Sequence, residues 1–112
     1  MLVIIAAMLL VGASAPDGPS FNTGNEIYAT CTSTAQDDFY ACYGYITGFL
    51  GGADAAMLAG GGKLTICLPP KVTNGQLHDV LVKWLQDHPD LRHLDGAVLT
   101  MTAFHTAFPC KE

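Results

Sequence analysis

The sequence predicts an all-α fold: a small four-helix domain stapled by disulfides, after an N-terminal signal segment. Three observations carry that expectation. Apolar residues recur at helical rather than alternating spacing, helix start and stop signals bracket those stretches, and four cysteines are scattered singly along the chain. With 112 residues, 50% hydrophobic and 13% charged, the chain has apolar material for one core and too little charge to stay unfolded. Its formal charge of -5 sets five Lys and Arg against ten Asp and Glu. That balance argues against nucleic acid and anionic membrane surfaces as partners, because both are bound through clustered positive charge.

The opening stretch, "MLVIIAAMLLVGASAP", carries an apolar run over 2–11 and then the small-residue pattern Ala13-Ser14-Ala15, the shape of a secretory signal over 1–15. No Lys or Arg precedes the run and Pro16 follows the expected cut, so the other readings are a buried N-terminal helix or an uncleaved anchor, for which the run is short. Residues 16–23 have the Pro, Gly, Asn and Ser content of a linker, and the domain proper is expected over 24–112.

"NEIYATC" is a short helix with Asn25 as its cap, and "TSTAQ" then turns the chain. A second helix is expected from Asp37 or Asp38 to Ala59, its acids placed against the positive end of the helix dipole. Gly44, Gly48 and Gly52 form a small-residue stripe on it that would let another helix approach closely. Each costs about 1 kcal/mol against alanine, so packing has to offset them. A membrane-spanning helix would use such a stripe too. The flanking cysteines favour a core helix instead. Gly60, Gly61 and Gly62 end this helix and release a mobile loop through Lys63 and Leu64, with "KLTIC" as a short extended piece.

The third helix has the clearest start. Thr73 is its N-cap, Gln76 the reciprocal capping-box partner, and Val72 with Leu77 has the spacing of a hydrophobic staple. Leu77, Val80, Leu81, Trp84 and Leu85 fall on one face, with His78, Asp79, Lys83 and Gln86 facing away. Pro89 stops it near His88. Asp90 or Asp95 starts the last helix, whose apolar stripe is expected to be Leu94, Ala97, Val98, Met101, Phe104 and Phe108.

Little in the chain asks for catalysis. Cys and His coexist, but cysteines paired as disulfides leave no nucleophile. His78 and Asp79 point about 100° apart on a helix and make a poor dyad. His88, Asp90, Arg92 and His93 form a polar corner that reads as a hydrogen-bonded turn before it reads as a metal or proton switch. "GGGK" lacks the spacing and the following Ser or Thr of a phosphate loop, and no zinc-ligand spacing occurs. No cofactor and no metal is implied. The aromatic group Phe39, Tyr40, Tyr43, Tyr45 and Phe49 supplies core or rim packing, with one or two rings free to face a partner.

"GNEIYATC", "CYGYITGFLGGADA", "CLPPKVTNGQLHDVLVKWLQDHPDLRH" and "AFPC", in that order, resemble the Rap/Tai-type immunity proteins, small periplasmic antagonists of type VI secretion amidase effectors. The resemblance covers nearly all of 24–110. It implies an exported, non-enzymatic inhibitor that binds a peptidoglycan-cleaving amidase and blocks its cleft, often as a homodimer. Trp84, His78, Pro70, Asp95 and Gly96 depart from the family pattern and bear on partner identity rather than fold. Cys31, Cys42, Cys67 and Cys110 carry over. Pairing is a separate inference: Cys31 closes the first helix and Cys42 opens the second, while Cys67 precedes the third and Cys110 follows the fourth. Cys31 with Cys42 and Cys67 with Cys110 is the expected arrangement, each bridge contributing about 2 to 4 kcal/mol. For the effector contact the expected residues are Gly60, Gly61, Gly62, Lys63 and Leu64, a loop whose glycines let backbone enter a cleft. The alternative function is a small helical periplasmic acid-stress chaperone, which would expose apolar surface in acid.

Overall fold

The computed structural model describes residues 18–111, so the expected signal segment over 1–15 lies outside the described residues. Four helices follow in order: α1 (Gly24–Cys31), α2 (Gln36–Ala59), α3 (Asn74–Asp87) and α4 (Gly96–Ala107). Among the described residues there is no strand, only isolated bridges between Thr23 and Asp95 and between Ile66 and Pro109. The all-α expectation holds, and "KLTIC" is extended only at the second bridge.

α1 is the short central piece, packed against each of the other three, while α3 packs on α2 and α4. Ile27, Cys42, Ile46, Leu81, Leu85 and Phe104 are fully buried where these helices meet. Each buried Ile, Leu or Phe contributes about 1.5 to 3 kcal/mol. The expected disulfides are both present, Cys31–Cys42 tying α1 to α2 and Cys67–Cys110 tying the segment before α3 to the tail after α4.

The start of α1 differs from expectation. Its cap is Thr23 rather than Asn25: Thr23 Oγ1 accepts from the Glu26 amide at 3.2 Å, and Asn25 lies one residue inside the helix with its amide bonded to the Arg92 carbonyl at 2.7 Å. The 88–95 corner thereby becomes an N-terminal cap for α1, since Leu94 also accepts from the Gly24 amide at 3.1 Å. In return the Asn22 carbonyl accepts from the Gly96 amide at 2.8 Å. Residues 20–23, inside the stretch with linker composition, are packed: Phe21 stacks on Tyr45 with centroids 4.5 Å apart, and Ser20 donates to the Glu26 carboxylate.

Among the described glycines, packing demands Gly24 and Gly96 most strictly. A Cβ on Gly24 would stand 2.5 Å from Leu99 Cδ1 and 2.9 Å from the Arg92 carbonyl; one on Gly96 would stand 2.5 Å from the Phe21 carbonyl and 2.7 Å from Ile27 Cδ1. By contrast, a Cβ at Gly44, Gly48 or Gly52 would meet nothing within 4 Å, so the stripe expected to receive another helix is covered by none. No helix among the described residues is long and apolar enough to cross a membrane.

α3 is built as its start signals dictate, with both capping-box bonds formed at 2.8 and 3.1 Å and Leu77, Leu81 and Leu85 buried. His78 departs from its expected outward position: its side chain is only 19% exposed. α4 also turns a different face inward. Gly96, Leu99, Thr100, Ala103 and Phe104 are buried, while Leu94 and Val98 are 42% and 61% exposed. The helix is apolar on most sides, so periodicity could not select the face; hydrogen bonding does. Thr100 is buried because its hydroxyl donates to the Gly96 carbonyl at 2.7 Å and accepts from the Tyr45 hydroxyl at 2.9 Å.

Gly96→Ala is expected to destabilise the fold by about 2 to 3 kcal/mol in urea denaturation, because its Cβ meets backbone that cannot yield. Gly48→Ala, on an open helix face, should stabilise by up to about 1 kcal/mol. Two groups make contributions of known direction to the pH dependence. Burial pushes the Tyr45 phenol up, helped by Asp95 and opposed by the Thr100 bond, so stability is full below the ordinary tyrosine range and falls as pH rises through the raised value. Bonds from Ser20 and the Asn22 amide hold the Glu26 carboxyl below its usual range, so its contribution is present above that range and lost in stronger acid. Tyr45→Phe should make the alkaline limb of a stability–pH profile shallower and leave the acid limb in place.

Candidate functional site

α2 outruns the core. Its last buried residue is Leu50, and the nine residues after it extend about 13 Å at the helical rise. Leu58 is 62% exposed. The chain then turns at the three glycines and comes back along the helix, where the Thr65 hydroxyl reaches Met57 Sδ at 3.6 Å. The result is an arm: a helical outbound limb, a glycine tip and an extended return limb.

The tip is ordered by backbone bonds. Gly62 donates to the Met57 carbonyl at 2.9 Å and Gly61 to the Leu58 carbonyl at 3.1 Å, the two bonds of a Schellman motif. Gly61 supplies the left-handed residue that motif requires, with φ +74°. The glycine run expected as a mobile loop is therefore a fixed turn. Lys63 and Leu64 follow it on the return limb, Lys63 exposed and Leu64 half-buried. At the base, Ile66 is buried, Cys67 donates its amide to the Phe108 carbonyl at 2.9 Å, and the Cys67–Cys110 bridge locks the limb to the tail. All five residues singled out in the sequence, Gly60, Gly61, Gly62, Lys63 and Leu64, thus lie together at the end of this arm.

A second exposed feature lies about 30 Å away along α2. Phe39 and Tyr40 are 44% and 61% exposed, Phe39 packs on Tyr43 at 4.5 Å, and Tyr43 stacks on His78 at 5.5 Å. His78 and Asp79 do meet, with Nδ1 and Oδ1 3.1 Å apart, contrary to their expected divergence. The pair offers no general base, since His78 Nε2 donates to the Cys31 carbonyl at 2.8 Å and both ring nitrogens are engaged. Its job is to cap the end of α1. The signal was present: on a helical wheel His78 lies about 20° from Leu85, seven residues on.

In the 88–93 corner His88 and Arg92 pack on neighbouring rings, while the buried Nε of Arg92 has no hydrogen-bond partner among the described residues. His88 donates from Nδ1 to the Trp84 carbonyl at 2.7 Å and stacks on the Trp84 ring, and Arg92 lies over the Tyr28 ring at 4.4 Å. All four cysteines are in disulfides. Among the described residues no group of three or more His, Cys, Asp or Glu could hold a metal ion.

Compared with known proteins, the chain matches the family model described as Rap1a immunity proteins over residues 23–110. No curated protein and no solved structure matches it.

Gly61→Ala forces a side chain into the left-handed region and is expected to cost about 1 to 2 kcal/mol of local stability. It should appear as faster hydrogen exchange at the Gly62 amide with the core amides unchanged. His78→Ala orphans the Cys31 carbonyl and should lower global stability by about 1 to 2 kcal/mol in urea.

Proposed function

The chain belongs to the Rap1a immunity protein family, and from that premise we propose that it is a periplasmic immunity protein that binds and inhibits a peptidoglycan-cleaving amidase effector of a type VI secretion system. The match over residues 23–110 carries the reading, because it takes in all four helices, both disulfides and the arm. Inhibition is by occupation: the glycine tip, which has no side chains to obstruct it, enters the amidase cleft and keeps substrate out. The protein itself performs no chemistry in this reading. Two disulfides in a chain of this size suit an oxidising compartment, which supports export through the segment at 1–15, followed by the helical domain over 24–112.

A homodimer fits the same family reading. Val98 on α4 and Leu94 in the turn before it are exposed, and Phe49, Ala97 and Met101 form an apolar groove with Val98, leaving a face free for a second copy.

A bacterium directing the amidase encoded beside this gene to its own periplasm should be rescued by this protein when it is exported and should lyse when the protein is retained in the cytoplasm. Lysis despite folded, oxidised protein in the periplasm would remove that amidase as the target. Deleting residues 61–63 should abolish rescue while thermal unfolding shows the core intact. Val98→Glu should convert a dimer to a monomer by light scattering; a monomeric parent protein would end the dimer proposal.

A further inference from the structure

In a chain with a formal charge of -5, two of only five Lys and Arg residues stand on one groove. The groove, about 750 Å³, runs between the return limb of the arm and the end of α4. Lys63 and Leu64 line it from the limb, His105 from α4, and Lys111 from the tail, beside the Cys67–Cys110 bridge. Among the described residues no Asp or Glu lines it. The one ion pair made by a lysine among the described residues is that of Lys83 with Asp87, on another helix, so within them Lys63 and Lys111 face the groove without an acidic partner. The C-terminus of α4 adds an opposing partial charge of roughly half a unit, which two lysines exceed.

The walls are held before any ligand arrives. The Cys67 amide bonds to the Phe108 carbonyl at 2.9 Å, Ile66 bridges Pro109, and the disulfide joins limb to tail, so the two lysines sit on segments tied to each other covalently. A backbone held in this way loses little freedom on binding, and the lysines it carries attract and orient an approaching negative partner.

We propose that this groove receives an acidic segment of the effector protein, with carboxylates on Lys63 and Lys111 and an apolar side chain against Leu64. The inference rests on the reading of the arm as the effector-binding element and adds a chemical requirement to it: the rim of the effector's cleft carries Asp or Glu beside an apolar residue. A polypeptide is the favoured source of the charge. A longer polyanion would meet the negative remainder of the molecule, and only a polypeptide places carboxylates and apolar side chains next to each other.

Two measurements on the oxidised protein test this separately from the immunity reading. In the first, nuclear magnetic resonance titration with a hexaglutamate peptide should give saturable shifts at residues 63–67, 105 and 111, lost in the Lys63→Glu, Lys111→Glu double variant. Absence of saturable shifts in the parent overturns the groove proposal. In the second, the double variant should bind the neighbouring amidase about tenfold more weakly, with Lys83→Gln unchanged and melting curves superimposable. An unchanged affinity in the double variant, when the parent binds, overturns the groove as an effector contact and leaves the immunity reading standing. A parent that does not bind that amidase overturns the amidase assignment, and the peptide titration then decides the groove by itself.

Discussion

The fold depends on one close approach, at the crossing where Gly24 of α1 lies on the Arg92 backbone just before α4 and Gly96 of α4 lies on the Phe21 carbonyl just before α1, with Leu99 and Ile27 filling the space beside them. Gly24 and Gly96 each stand where a single added carbon would collide with backbone of the facing segment. That proximity lets the two helix starts satisfy each other's orphan amides: Arg92 and Leu94 carbonyls cap α1, and the Asn22 carbonyl receives the Gly96 amide. Leu99 and Ile27 reach the core from this junction, and Tyr45 finds Thr100 above it. A methyl group at either glycine would separate the helices and leave several buried polar groups without partners, a cost well beyond that of one contact.

With one end of the bundle closed in this way, the other end can carry an element that contributes little to the core. The outer half of α2 buries nothing beyond Leu50, and its glycine tip and return limb are held by backbone hydrogen bonds and by the Cys67–Cys110 bridge. That bridge closes a loop of 43 residues in sequence and so restrains the limb, α3, α4 and the tail together. The arm is consequently a preformed projection, and an inhibitor that enters a cleft benefits when its inserted element is ordered in advance. For an immunity protein that must meet a toxin quickly, order in the free state also leaves fewer conformations to select from.

Legibility in the sequence followed the range of the interactions. The limits of α3, though not the inward turn of His78, were readable because its signals, Thr73, Gln76 and Pro89, act within one turn of the helix they delimit. The disulfide pairs followed from the helix framework. What misled were features decided by distant neighbours. Asn25 looks like a cap until the Arg92 carbonyl is seen to take its amide, and α4 is apolar on too many sides for periodicity to choose a face without the Tyr45–Thr100 bond. Glycine illustrates the difficulty most clearly: the spaced Gly44, Gly48 and Gly52 touch nothing, whereas the unpatterned Gly24 and Gly96 hold the crossing. The three consecutive glycines did mark the arm's tip, although only the structure shows them fixed by the φ of Gly61.

Hydrogen exchange measured by mass spectrometry on the oxidised protein, free and saturated with the amidase effector proposed as its target, tests most directly whether a preformed arm is the inhibitory element. The Gly62 and Cys67 amides should already be slowed in the free protein, and residues 57–67 should gain further protection on binding while 39–43 stay unchanged. Fast exchange at the tip in the free state, or protection confined to 39–43 in the complex, would contradict it and place recognition on the aromatic end of α2 instead.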